Sequence, residues 1–170
     1  MKLPAPKDAI PLSQRTADAY KELAESAATL NAASDELGKV IEAMDISIQR
    51  LNVGVEAWVN TDGGWENQNG EFEKHLLGYA KVDGTWGIAL RIARGFEQDP
   101  ETGSYETWLF NDAPRVLRVD AVEKLPELLD RLKKKAESTS RKLTETTAQA
   151  RELASALKQA ASEVAAARKK

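Results

Sequence analysis

Apolar residues recur every three or four positions through the first third of the chain, which is the spacing of one face of an α-helix. The pattern starts after Pro11, where Ser13 is a candidate N-cap, and predicts a helix over residues 13–52. Sustained over several heptads, it is typical of a coiled coil. The members of this N-terminal seam are Tyr20, Leu23, Ala27, Leu30, Ser34, Leu37, Ile41, Met44, Ile48 and Leu51.

A second seam with the same spacing occupies the last third of the chain. Pro126 fits the start of a helix better than its interior, so we expect a short helix over 114–124 and a long one from Pro126. Small residues flank the N-terminal seam, which favours a close antiparallel helix over a charged parallel zipper. The members of this C-terminal seam are Val122, Leu125, Leu129, Leu132, Ala136, Thr139, Leu143, Thr146, Ala150, Leu153, Leu157, Ala160, Val164 and Ala167.

The segment between the two seams has a different composition. All the aromatic residues except Tyr20, and all the glycines except Gly38, lie between residues 54 and 110. This composition predicts strands over residues 53–60, 75–82, 85–94 and 105–110. The polar stretches 61–73 and 97–104 are predicted to be loops.

The turn Asp83-Gly84 fixes the register of the central hairpin, because a type I′ turn requires positive φ at both positions. It pairs Leu77 with Leu90 and Gly78 with Ala89, and therefore sorts bulky residues to one face and small residues to the other. Glycine weakens a strand unless something approaches the backbone closely. We therefore expect the face of Gly78, Ala80, Gly87 and Ala89, called the smooth face below, to be covered by a helix or by a second subunit.

These patterns predict an α+β fold in which two long antiparallel coiled-coil helices flank a central four-stranded antiparallel β-meander. We divide the chain into an N-terminal extension over 1–12, a first coiled-coil helix over 13–52, and a sheet module over 53–112. Residues 113–170 form the short helix and the second coiled-coil helix. Similar lengths of the two helices favour a hairpin, and two unrelated helices in a globular bundle are the alternative.

Charge is divided unevenly along the chain. Residues 53–112 contain eleven acidic and four basic residues, whereas residues 113–170 contain fourteen basic and eight acidic residues. Such asymmetry favours an oriented partner or a head-to-tail contact. The chain contains no cysteine, and neither an apolar leader nor a membrane-spanning run is visible, so we expect a cytoplasmic protein with no membrane contact.

Catalytic, cofactor-binding and metal-binding patterns are not found. His75 is the only histidine and faces the bulky side of the hairpin, where a structural role is the simpler interpretation. No phosphate-binding glycine loop or calcium loop is present. We therefore expect no enzyme, no cofactor and no metal. The basic run Lys133, Lys134 and Lys135 is the feature that a nucleic-acid-binding alternative would use.

Four tryptophans are the residues most suited to a contact site, since tryptophan is a frequent anchor of protein interfaces. Trp86 is assigned to the core. The predicted function is a non-enzymatic interaction or scaffold protein that forms homo-oligomers and presents its helical arm or sheet face to a protein partner. The alternatives are a nucleic-acid-associated protein and an enzyme with a site in the sheet loops. The candidate protein-binding residues are Trp58, Trp65, Trp108, Gly78, Gly87 and Ala89.

Overall fold

A computed structural model describes residues 11–167, and the side chains of residues 100–102 are not included in the description. The predicted N-terminal extension therefore lies almost entirely outside the described residues. The chain divides into two units, Met1–Met44 and Asp45–Lys170. The helices are α1 (Leu12–Arg50), α2 (Arg115–Ala121) and α3 (Leu125–Ala167), with short 3-10 turns at Phe110–Asp112 and Val122–Lys124.

The fold is mixed helix and sheet, as predicted, with two long helices and one four-stranded antiparallel sheet. The strands are β1 (Ala57–Glu66), β2 (Glu71–Val82), β3 (Thr85–Phe96) and β4 (Asp99–Leu109), and they neighbour one another in chain order. Helix α1 begins one residue earlier than Ser13, so Ser13 is not its N-cap. Helix α3 begins at Leu125 and contains Pro126 in its first turn, where proline is tolerated.

The predicted register of the central hairpin is confirmed. Leu77 pairs with Leu90, Gly78 with Ala89 and His75 with Ile92. The turn residues Asp83 and Gly84 both have positive φ, at 48° and 90°, as a type I′ turn requires. Two residues of known turn chemistry therefore determined which side chains share a face over the whole hairpin.

The two predicted polar loops are wrong, because most of their residues continue the strands. Strand β1 runs on through a bulge between Asn60 and Gly64 and pairs Trp65 with Glu73. Asn67 closes the turn between β1 and β2, because its side-chain oxygen accepts hydrogen bonds from the backbone amides of Asn69 and Glu71. These strand ends are largely polar on both faces, so they lack the alternation that identifies a half-buried strand.

The core lies between the bulky face of the sheet and the helices α2 and α3, which pack on β1 and β2. Val59, Leu77, Ile88 and Leu90 are almost completely buried in the sheet, and Leu128 of α3 is equally buried. The C-terminal seam is shifted in this first part of α3, because Leu128 is buried while the predicted member Leu129 is 45% exposed.

Candidate functional site

The smooth face is buried around its glycines, and side chains cover it closely. The indole of Trp58 lies directly against Gly78, where a Cβ atom would overlap the ring. A Cβ atom at Gly87 would lie 2.9 Å from Oδ2 of Asp45 and 3.0 Å from Cδ2 of Leu109. The space over these glycines is therefore filled by side chains of the sheet itself together with Asp45 near the end of α1. Cover of the smooth face by a whole helix or by a second subunit stays a prediction.

The end of α1 within the second unit also completes the edge of β3 where β4 has stopped. Asp45 Oδ1 accepts a hydrogen bond from the backbone N–H of Ile88 at 3.0 Å, and Gln49 Nε2 donates to the carbonyl of Trp86 at 2.8 Å. Two side chains one helical turn apart thus satisfy both kinds of backbone group on the strand. The charge of Asp45 adds to the effect of burial, which is the larger cause, in raising the pKa of Tyr79.

A cation between two aromatic rings lies farther along the smooth face. The guanidinium of Arg91 is 3.9 Å from the ring centre of Trp58 and 4.6 Å from that of Tyr105. Its Nε donates to Thr107 Oγ1 at 2.9 Å, and Glu56 Oε1 lies 3.7 Å from Nη2 and also accepts from the Trp58 indole N–H. This Arg91 cluster spans β1, β3 and β4, and its charge is partly balanced by Glu56. It forms an amphipathic surface beside the edge strand.

The six candidate binding residues are distributed over both faces rather than brought together. Trp58 is half-buried on the smooth face and lies against the buried Gly78, whose partner on β3 is Ala89. Trp108 is half-buried on the bulky face, and Trp65 is 49% exposed at the far end of β1. Trp86, which was assigned to the core, is half-buried and stacks on Tyr79 with a ring-centre separation of 5.6 Å. A protein-binding role for the six residues stays a prediction.

His75 is held in a polar network at the bulge of β1. Its Nε2 lies 2.9 Å from Glu73 Oε1, and Glu73 Oε2 accepts from Arg94 at 2.7 Å. The hydrogen bond with His75 is the largest cause that lowers the pKa of the Glu73 carboxyl, and the hydrogen bond with Arg94 is the next. The other ring nitrogen, Nδ1, is buried against Gly63 without a hydrogen-bond partner among the described atoms. Nε2 is therefore hydrogen-bonded and Nδ1 is buried, which is consistent with a structural role of His75 at the bulge.

The described part of the chain contains small cavities and no cluster of side chains suited to a metal ion. No group of three or more histidine, cysteine or acidic residues is arranged to hold a metal ion within residues 11–167. The cavity beside Tyr79 and Trp86 measures about 250 Å³. That volume is below the range of roughly 300–1,000 Å³ that is typical of ligand pockets. Two open surface depressions, one beside Asp62 and Glu123 and one beside Ala136 and Arg141, measure about 310 and 600 Å³. Among the described helices, none is both long enough and apolar enough to cross a membrane.

The two apolar seams expose many large apolar side chains among the described residues. In α3 the stripe is buried at Leu125, Leu128 and Leu132, but residues 140–167 are exposed throughout. In α1 the early seam residues are exposed, whereas Ile41 and Ile48 are buried. The large exposed members and their exposed fractions are Tyr20 71%, Leu23 65%, Leu30 55%, Leu51 72%, Leu129 45%, Leu143 62%, Leu153 67%, Leu157 71% and Val164 55%.

Comparison with protein-family models, curated proteins and solved structures gives no match. Function is therefore inferred from the geometry of these residues. Sequence patterns did not point to Arg91, Tyr105 or Asp45, because each depends on contacts between elements distant in the chain. The one available signal was the hairpin register, which places Arg91 on the smooth face together with the glycines.

Proposed function

We propose that this chain is a non-enzymatic interaction protein that assembles with a second copy of itself by pairing its apolar helical seams in an antiparallel coiled coil. The observation that carries this proposal is the continuous stripe on α3. Its first part is buried against the sheet, and the same face continues, exposed, over residues 140–167. We expect the assembly to work in the cytoplasm as a scaffold for a protein partner.

The free energy lost by leaving apolar side chains in water supports a partner that covers the exposed stripe. Residues 140–167 extend about 40 Å at the rise of an α-helix. An isolated helix of this kind is only marginally stable in water, because most helical stability in proteins comes from packing of an apolar face. Burial of each exposed leucine or valine contributes roughly 1.5–3 kcal/mol. Four such residues, Leu143, Leu153, Leu157 and Val164, give the segment a strong tendency to associate.

A second copy is the occupant that best fits, because the chain carries a matching seam of its own. The exposed part of the N-terminal seam has the same heptad spacing and a similar length. Its flanking residues include Ala24, Ser26, Asn31 and Ala33, which allow a second helix to approach closely. The charges are complementary as well, since residues 12–36 carry five acidic and two basic residues, and α3 is rich in lysine and arginine.

The test changes the exposed stripe and leaves the sheet-bound part of α3 untouched. The double variant Leu153→Asp and Leu157→Asp should behave as a monomer in sedimentation equilibrium at concentrations where the original chain is assembled. The matched control is Ser155→Asp and Gln159→Asp, which adds the same charges at the same spacing on the opposite face of α3. The control should stay assembled. A monomeric original chain, or equal dissociation of both variants, would contradict the proposal.

Nucleic-acid binding is the second candidate, and one observation favours it. Six basic side chains of α3 are exposed, and none has an ion-pair partner in the described residues: Arg131, Lys133, Lys134, Lys135, Arg141 and Lys142. Such a cluster would release counterions on binding phosphates. The acidic sheet module opposes this by repelling a polyanion. Salt-dependent retention of duplex DNA or RNA that is lost when Lys133, Lys134 and Lys135 become Gln would favour this candidate.

An enzyme with a site in the sheet loops has no comparable observation in its favour. The only histidine has one nitrogen bonded to Glu73 and the other buried against Gly63, so neither nitrogen faces a substrate. The replacement His75→Gln should therefore leave the assembly unchanged.

A further inference from the structure

We infer that the edge strand β4 pairs with β4 of a second copy, joining the two four-stranded sheets into one eight-stranded sheet. This contact goes beyond the helical seams and does not depend on them. β4 lies at the edge of the sheet, with β3 as its neighbour on one side. An edge strand exposes unpaired backbone N–H and C=O groups, which form a template for another strand.

The start of β4 contains Pro100 and a register shift against β3, but residues 103–109 lack the features by which proteins usually protect an edge. Residues 103–109 contain neither proline nor lysine, and Glu106 is the only charged residue among them. That charge is engaged within the sheet, because Glu106 Oε1 accepts from Arg94 Nη1 at 2.8 Å. The ladder between β3 and β4 is continuous from Ala89–Leu109 to Arg94–Ser104. A regularly paired stretch of strand, whose one charge is engaged by Arg94, is therefore available for pairing.

The opposite edge, β1, is protected, and the contrast makes β4 the pairing strand. β1 is interrupted by the bulge between Asn60 and Gly64, and Gly64 has φ of +105°. Asp62 projects from this bulge and forms an ion pair with Lys124 at 2.9 Å. A bulge of this kind bends a strand and disrupts its ladder. The register shift of β4 lies before Ser104, so a second chain would find its longest regular template at residues 104–109 of β4.

A second copy is the occupant because β4 is complementary to itself in one register. Antiparallel pairing around a two-fold axis at Thr107 places Tyr105 opposite Leu109 of the other copy, and Thr107 opposite its own counterpart. Aromatic–aliphatic and Thr–Thr pairs are favourable across strands. This register also keeps the two Glu106 side chains from facing each other directly. The 68% exposed Tyr105 would become covered, and the two Arg91 clusters would form one continuous surface.

The absence of cysteine from the sequence allows a direct test by single-cysteine cross-linking. In an antiparallel pair, directly opposite Cβ atoms lie about 4.5–5.5 Å apart, within reach of a disulfide. Thr107→Cys should therefore convert the 18.7 kDa chain into a covalent dimer under mild oxidation. Ser104→Cys, which lies on the same strand and is more exposed, is the first control. Asn60→Cys on the edge of β1 is the second.

The cross-linking is repeated in a chain that also carries Leu153→Asp and Leu157→Asp. Pairing of β4 is thereby tested independently of pairing between the helical seams. Cross-linking at position 107 alone, in both backgrounds, is the expected result. Three results would each overturn the inference: no covalent dimer at position 107, equal cross-linking at positions 104 or 60, or loss of the dimer in the seam-variant background. An edge that receives an unrelated extended peptide would give the first of these results.

Discussion

The first and the last parts of α3 carry the same apolar stripe in opposite surroundings. Leu125, Leu128 and Leu132 are buried beside the sheet, whereas Leu153 and Leu157 are 67% and 71% exposed. The two parts share residue types, spacing and helical geometry. The comparison teaches that a heptad pattern predicts which face of a helix is apolar. The surrounding tertiary structure determines what packs against that face.

The largest expected effect on the free energy of unfolding comes from a Leu→Ala substitution made once in each part of α3. Leu128→Ala should reduce the free energy of unfolding by about 2–5 kcal/mol, because it leaves a cavity in the core. Leu157→Ala in the dissociated chain should change it by no more than about 0.5 kcal/mol, as at other surface positions. Urea unfolding at low protein concentration measures both. Equal losses would mean that the distal stripe is packed within the single chain.

The next effect concerns the covered smooth face. Gly87→Val should destabilise the chain by about 1–3 kcal/mol, because the new side chain meets Asp45 and Leu109 in a filled space. The control is Ser104→Val, which introduces a β-branched side chain at an exposed position of the neighbouring strand β4. If Gly87→Val raised the melting temperature as the control does, the face would be open.

A smaller effect is expected at the junction between α1 and the edge of β3. Asp45→Ala leaves the half-buried N–H of Ile88 without its acceptor, which costs about 1 kcal/mol at the lower end of the range for an unsatisfied group. Glu42→Ala, an exposed acidic residue of the same helix, is the control. Denaturant unfolding of both variants measures the difference. An equal loss of stability in the two variants would show that the hydrogen bond from Ile88 to Asp45 does not stabilise the chain.

The smallest effect depends on pH. Bonds from His75 and Arg94 lower the pKa of Glu73 in the folded chain. A lowered folded pKa contributes stability above the unfolded pKa, and that stability disappears as the pH falls through the folded value. The original chain should therefore lose more stability on acidification than Glu73→Gln does. Thermal unfolding from neutral pH into the acid range compares the two, and parallel curves would contradict this role of Glu73.

Local chemistry made the hairpin predictable, and long-range contacts limited the rest. Asp83-Gly84 specifies a turn type, and the pairing of Leu77 with Leu90 follows from it. The cover of the smooth face depends on Trp58 from the neighbouring strand and on Asp45 from a helix, and no spacing along the sequence relates these residues. The strand ends around Trp65 and Glu73 were missed because polar residues occupy both of their faces.

The two seams illustrate a further limit. Their periodicity predicted both long helices correctly, because helical spacing is a local property of the sequence. It also assigned Leu129 to the covered face, whereas Leu128 is the buried residue. Both positions lie within reach of one apolar stripe, and the packing of α3 on the sheet decides which of the two is covered.

Amide hydrogen exchange of α3 at two protein concentrations tests the central claim most directly. Below the concentration of assembly, amides near Leu153 and Leu157 should exchange rapidly, while those near Leu128 and Leu132 stay protected by the sheet. Above it, the distal amides should become protected as the seams of two copies pair, and the proximal amides should not change. Distal exchange rates that are the same at both concentrations, in samples whose sedimentation shows assembly, would contradict pairing of the seams.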